Sequence, residues 1–435
     1  MKKLMMMAAV TAVNGMAFAD VNVEDVKCTQ RYPWNGLVDI EYTIACDDPN
    51  AEVYVNPVGF NGDTGLTVFP THFTGDGATN TVKAGKHTMV WDAKADMGLF
   101  ASKNFQIKIY AGKTLAPYVV VDLSSGPDGD HFPIRYSLTG PDISDDTCRT
   151  TELWLRLIPP GTFMMGSPAD ELGRSDNEDL HKVTITEPFY IGVFEVTHEQ
   201  WYRVMGAYSS YGQYYGNTWS CYPVTHKSWT DLRGSAYDDY SHYTHHHVLG
   251  ECYFLPTSPI VDNGKFFGKL REKTVEEGFD LPSEAQWEYA CRLGGSSSLN
   301  IGRDLTGVGG CNNLNLAGRY YVNGSRGSSN WGADNHSTAK VGSYQANAYG
   351  VYDMHGNVSE ICRDAWQDHI GTMPEIDPCY GGIITDRGVS DWCGVVRGGN
   401  WQSYANGCRS ASREKEIGDS GRFGFRVSCP GNLQK

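Results

Sequence analysis

Helical periodicity is almost absent from this sequence, which confines the chain to short strands joined by long loops. Between Val21 and Lys113 no segment carries a useful 3.6-residue period. Val38-Asp-Ile-Glu-Tyr-Thr-Ile44 instead alternates apolar and polar residues, which puts Val38, Ile40, Tyr42 and Ile44 on one buried face. Phe105, Ile107 and Ile109 repeat the pattern. Asn61-Gly62-Asp63, Gly75-Asp76-Gly77 and Ala84-Gly85-Lys86 supply turns. Residues 20–113 are expected to form a small β-sandwich serving as a spacer or attachment unit.

Residues 114–150 are polar and turn-rich, with one strand expected around Ile134, Tyr136 and Leu138, and are read as a linker. A second unit is expected over 151–431. It opens with strand-like runs at Leu153–Ile158, Val183–Ile185 and Phe189–Ile191. Two helices are marked by capping boxes, in which Ser or Thr caps and Gln three residues on reaches back. Thr197 and Gln200 start one, with Trp201, Val204 and Met205 inward and Gly206 ending it. Ser283 and Gln286 start the other, with Trp287, Ala290 and Cys291 inward. The rest of this unit reads as loop with short strands. Fifty glycines and 12% aromatic residues suit a turn-rich α+β protein whose rings fill gaps between loops.

The formal net charge of −15 disfavours nucleic acid or an anionic membrane as a partner. Lys2 and Lys3, an apolar stretch to Ala19 and Ala17-Phe18-Ala19 have the order of an export signal cleaved after Ala19. No later stretch approaches the roughly 20 apolar residues of a spanning helix. The mature protein is therefore expected to be periplasmic or secreted. There, 12 cysteines point to disulfides, with Cys28–Cys46 and Cys379–Cys393 as possible local bridges. His242, His245, His246 and His247 form a cluster that reads as an exposed loop, with adventitious transition-metal binding as the alternative. No phosphate-cradling glycine loop, nucleophile elbow or His-Glu-x-x-His helix is present.

Five segments occur in a telling order: Ile158-Pro-Pro-Gly-Thr-Phe-Met-Met-Gly-Ser167, Phe189-Tyr-Ile-Gly-Val-Phe-Glu-Val-Thr197, Leu281-Pro-Ser-Glu-Ala-Gln-Trp-Glu-Tyr-Ala-Cys-Arg292, Gly350-Val-Tyr-Asp-Met-His-Gly-Asn-Val-Ser-Glu360 and Val396-Arg-Gly-Gly-Asn-Trp401 with Arg422-Phe-Gly-Phe-Arg-Val427. Over 151–431 the chain resembles the formylglycine-generating, or sulfatase-modifying factor, family. That resemblance implies an irregular fold related to C-type lectins. In catalytic members it implies copper held by two cysteines five positions apart, oxidising a substrate cysteine to formylglycine.

Aligned on the two glycines, Asn400 stands at the family serine, Ser403 at the first cysteine and Cys408 at the second. A hydroxyl cannot replace a thiolate toward cuprous copper, so no copper is expected. Cys408 is open to a second reading, a structural disulfide with Cys429. The resemblance also implies structural calcium, at Asn347, Gly350, Asn357, Val358 and Glu360. The alternative is that Asn357 caps a turn and Glu360 pairs with a core arginine. Arg397, Trp401 and Arg409 are candidate ligand-binding residues, the arginines being equally suited to pairing with Glu284, Glu288 or Glu360.

The expected function is that of an exported sulfatase-modifying-factor-like protein acting on another exported protein. A non-catalytic binding module presenting the Tyr- and Trp-rich loop 207–256 to an extracellular ligand is the alternative. When the full chain is produced with an export pathway, the mature protein should begin at Asp20. Intact mass and N-terminal sequencing check this, and retention of Met1 would remove the export reading.

Overall fold

The computed structural model describes residues 10–12, 21–32, 35–98, 102, 104–208, 219–234, 251–254, 261–324, 338–380, 382–385, 394–416, 421–431 and 433. The first part contains two four-stranded sheets. One runs in the order Val21–Gln30, Leu37–Cys46, Gly85–Asp92, Phe73–Gly75, and the other Val10–Ala12, Phe105–Gly112, Tyr54–Asn61, Leu66–Val68. Val38, Ile40, Tyr42 and Ile44 are buried, as their alternation predicts, and share one core with Phe105, Ile107, Ile109 and Trp91. Val10–Ala12, inside the expected leader, lies parallel to Phe105–Ile107.

The second part is built around a five-stranded antiparallel sheet ordered Ile134–Ser137, Tyr118–Asp122, Glu152–Ile158, Phe189–Gly192, Ser428–Pro430. Residues 114–150 are therefore not a linker. They supply two of its strands, and Leu115, Val119, Val121, Leu123 and Phe132 sit in the main core. The polar turns at 124–130 and 139–146 mask this contribution, because the apolar residues come in short runs between them.

Both capping boxes form. Thr197 accepts from the Gln200 N–H and Ser283 from the Gln286 N–H, starting helices His198–Met205 and Glu284–Arg292. Gly206 ends the first with φ 78°. A further helix, Phe266–Thr274, was not marked in the sequence because its N-cap is Lys265, whose side chain makes no capping bond. It packs against His198–Met205 through Trp201 stacked on Phe266 at 5.5 Å. Among the described residues, no helix is long and apolar enough to cross a membrane.

Cys28, Cys46, Cys148, Cys221, Cys291, Cys311, Cys362, Cys379, Cys408 and Cys429 are free thiols. Strand register explains why Cys28 and Cys46 do not join: Cys28 faces Ile40 and Cys46 faces Val21, at opposite ends of the same ladder. Six residues of strand is roughly 20 Å, against the 4.4–6.8 Å a disulfide spans. Cys408 and Cys429 lie in different core clusters, and Cys393 lies outside the described residues.

The two parts are docked through a plug. Phe69, on the loop after Leu66–Val68, enters the second core edge-on to Tyr289 and Tyr349, 5.4 Å from each. Beside it the Thr162 N–H donates to Thr67 Oγ1 at 2.7 Å, and the Tyr190 hydroxyl donates to the Thr114 and Ala116 carbonyls. Replacing Phe69 by Ala should cost about 3 kcal/mol in urea unfolding, the price of a cavity at this junction.

Candidate functional site

The loop from Arg397 to Arg413 leaves the strand Gly394–Arg397 through Gly398 and Gly399, both at positive φ. At Gly399, with φ +66°, a Cβ would fall 2.4 Å from the Gly407 carbonyl, so the loop closes on itself only with glycine there. Arg397 holds the returning arm. Its guanidinium donates to the carbonyls of Ser410, Ala411 and Ser412, each at 2.9 Å, and pairs with Glu288. His355 holds the turn: its Nε2 accepts the Asn300 N–H at 2.8 Å, so Nδ1 carries the proton and donates to the Cys408 carbonyl at 2.7 Å. Burial keeps His355 neutral, lowering its pKa to about 4 against the opposing pull of that carbonyl.

Asn400, Ser403 and Cys408 are brought together by this loop. The Asn400 N–H donates to Ser403 Oγ at 3.1 Å, its side-chain amide donates to Ser359 Oγ at 2.9 Å, and its Oδ1 accepts from the Gln402 N–H. Cys408 has its sulfur beside Gly399 and the Asn400 N–H and packs in a cluster with Leu299, Leu314, Tyr320 and Ala405, with no exposed surface. Burial pushes its thiol up to about 12, with the Asn400 N–H only partly opposing. A small hollow of about 140 Å³ lies alongside, lined by Gly399, Ser403, Gly407, Ser412 and Glu414 among others. Trp401 is half-buried, and the exposed Tyr404 leans on Tyr321 at 4.9 Å. The donor set does not fit a two-sulfur copper site, since a serine hydroxyl and a buried, protonated thiol replace the pair of thiolates.

The two candidate ligand-binding arginines are occupied. Arg397 is fully enclosed as described, and Arg409 is enclosed by Glu178 and Glu171, with Nη1 at 2.7 Å from Glu171. Neither presents its charge to a substrate, because each closes a core ion pair; Trp401 alone of the three reaches the surface.

Of the residues that the resemblance implies for calcium, Asn357 and Val358 both meet Glu195, whose carboxyl burial raises and nearby Glu360 raises further. Asn347 donates to the Ala290 carbonyl and accepts from the N–H groups of Tyr349 and Val351, which makes it a turn-former beside Gly350. Asn357, at φ 64°, donates to Glu195 and accepts from the Ala339 N–H, while the Val358 N–H also goes to Glu195. Glu360 gives both oxygens to Arg426 and accepts from Trp287. The side-chain oxygens of Asn347, Asn357 and Glu360 are thus engaged with protein donors. Among the described residues, no group of three His, Cys, Asp or Glu side chains could hold a metal. The histidine cluster at 242–247 and most of loop 207–256 lie outside the described residues.

Sequence reasoning missed His355, Ser359 and Tyr321. Each acts through a contact with a residue 41 or more positions away, or through the backbone, and carries no local signal.

This geometry agrees with the comparisons to known proteins. The sulfatase-modifying factor enzyme 1-like domain is matched over residues 144–429. The chain belongs to this family. Among curated family relatives, a formylglycine-generating enzyme of Mus musculus is 24% identical over 62% of this chain and 74% of its own length. A protein of Paenibacillus barcinonensis named chaperone protein LppX is 31% identical over 52% of this chain and 72% of its own. Among solved structures, PvdO from Pseudomonas aeruginosa is 24% identical, covering 64% of this chain and 94% of that one with a TM-score of 0.46.

The family framework here is held by Glu284 as well. Its carboxyl sits below the usual carboxylate range: burial alone would raise it, and Arg413, followed by Arg397, overcomes that. A depressed acid stabilises the fold above its unfolded pKa of about 4.3, and that stability is lost as pH falls through the lower folded value. Arg413→Met should therefore cost about 3–5 kcal/mol at neutral pH, and its deficit relative to the native protein should narrow below about pH 4. Chemical denaturation at a series of pH values measures both.

Proposed function

We propose that this protein is an exported sulfatase-modifying-factor family member that engages another exported protein without copper–cysteine oxidation. The observation that carries this reading is Cys408, which is fully enclosed and held protonated, with Ser403 where a partner sulfur is required. The tight loop around it supports a shaped surface more than a reactive centre. Ser403, Ser412 and Gly407 line a shallow hollow, and Trp401, Tyr321 and Tyr404 stand nearby with partly open rings that suit contact with a polypeptide. The chaperone name of the Paenibacillus barcinonensis relative favours client engagement over chemistry. The N-terminal sheets, read as a β-sandwich, would hold this lectin-like unit at a fixed distance from the rest of the chain.

With the mature protein, cuprous copper and a sulfatase-type cysteine peptide, oxygen consumption should stay at the level of copper alone and the peptide mass should not change. Copper-dependent consumption that tracks conversion of the peptide cysteine to an aldehyde would overturn the proposal. Tyr404→Ala should leave stability within about 0.5 kcal/mol, since its ring is largely exposed. It should also weaken binding of a fluorescent-labelled unfolded exported polypeptide several-fold, and unchanged binding would exclude this surface as the contact.

A further inference from the structure

A second hollow, of about 480 Å³, opens where the two parts of the molecule meet. The N-terminal part contributes Asn56, Phe73 and Met89, and the C-terminal part Tyr118, Arg156 and Tyr349. Ten of the sixteen lining residues lie outside residues 144–429, so the family match does not account for the hollow. Its size falls within the range of small-molecule sites, and domain junctions are a preferred place for them. Its walls are fixed, because the Phe69 plug packs on Tyr349 and the bond between Thr67 and Thr162 closes the junction nearby.

Arg156 is the distinctive feature. It sits mid-strand in Glu152–Ile158, opposite Ile191 on one side and Tyr118 on the other. Its guanidinium lies over the rings of Tyr118, at 4.8 Å, and Tyr349, at 4.6 Å, which fixes its plane. Nη1 donates to the Pro117 carbonyl at 3.0 Å. Nε is shielded and has no partner. Nη2 makes no bond to protein and is not shielded, so it is open to the hollow or to solvent.

No carboxylate pairs with Arg156 among the described residues. Arg292, Arg397, Arg409, Arg413 and Arg426, by contrast, all have carboxylate partners. Asp96, near the rim, is occupied by Thr71, His72 and Trp91. A half-buried arginine held by two rings, with Nη2 left open and the partly open Phe73 and Pro57 also lining the hollow, is built to receive an anion. A carboxylate oxygen matches the open Nη2 donor, and an apolar body matches Phe73 and Pro57.

The geometry points to this interdomain hollow as a binding site for a small organic acid, its carboxylate on Arg156 and its apolar body against Phe73 and Pro57. The acid is either a free compound or the terminal carboxylate of a short peptide. The site is separate from the Ser403 hollow, and it stands whether or not the reading of that surface holds.

The test uses the mature protein and four probes in calorimetry: 3-phenylpropionate, its uncharged amide, the dipeptide Gly-Phe and its C-terminal amide. At least one acid should bind, and the matching amide should bind about tenfold or more weakly, as loss of a charge-assisted hydrogen bond requires. Tighter binding of 3-phenylpropionate assigns the site to a free acid, and tighter binding of Gly-Phe assigns it to a chain terminus. Arg156→Gln should abolish the preference for acid over amide. Because that change could disturb the strand, Ala78→Trp serves as the second variant: it adds bulk at the partly open lining of the hollow with Arg156 intact and should also remove binding. Thermal melts confirm that each variant is folded. Acid and amide binding equally, neither acid binding, or a folded Arg156→Gln that keeps the preference would overturn the proposal.

Discussion

Buried arginine–carboxylate pairing is the constraint on which the rest of this structure depends. Arg397 meets Glu288, Arg413 meets Glu284, Arg426 meets Glu360 and Arg409 meets Glu178, all with side chains essentially without exposure. Taking such ions out of water costs several kcal/mol each, and attraction offsets that only when geometry is good and remaining donors are satisfied. Here the remaining donors are largely satisfied by loop carbonyls: Ser410, Ala411 and Ser412 for Arg397, Asn177 and Gln367 for Arg413, Gly192 and Tyr352 for Arg426. The pairs join positions 109, 129, 66 and 231 residues apart in the chain. Where strands are short and helices few, these directional contacts decide which loop lies against which.

The same pairing governs the site. Because Arg397 collects three successive carbonyls of the loop and His355 a fourth, the backbone from Gly398 to Arg413 has one available course. That course turns the sulfur of Cys408 inward and leaves the Ser403 side toward solvent. The thiol, enclosed with Leu299, Leu314, Tyr320 and Ala405, is held toward its protonated form by burial. The interior of the loop is thereby part of the core.

Local chemistry was readable in the sequence wherever a few adjacent residues determine the outcome. Thr197 with Gln200 and Ser283 with Gln286 fix helix starts by their own side chains, and the alternation from Val38 to Ile44 fixes a strand face. The arginines as core partners of Glu284, Glu288 and Glu360 were likewise legible as an alternative, from residue type. Contacts set by tertiary packing were not legible. Helix Phe266–Thr274 lacks a polar cap and is held by Trp201 and Phe425. His355 reads as one more motif residue until Asn300 and Cys408 are seen on either side of its ring. The strands at 118–122 and 134–137 are too short to declare themselves between polar turns.

Those two strands also define where the second folding unit starts. The family match opens at residue 144, yet Tyr118–Asp122 forms the neighbour of Glu152–Ile158 along five residue pairs, with Ile134–Ser137 outside it. A fragment cut at the family boundary would carry a bare sheet edge and a core missing Leu115, Val119, Val121, Leu123 and Phe132. The second core therefore draws on the chain from near Thr114, where the Tyr190 hydroxyl takes hold of it, and takes Phe69 from further upstream.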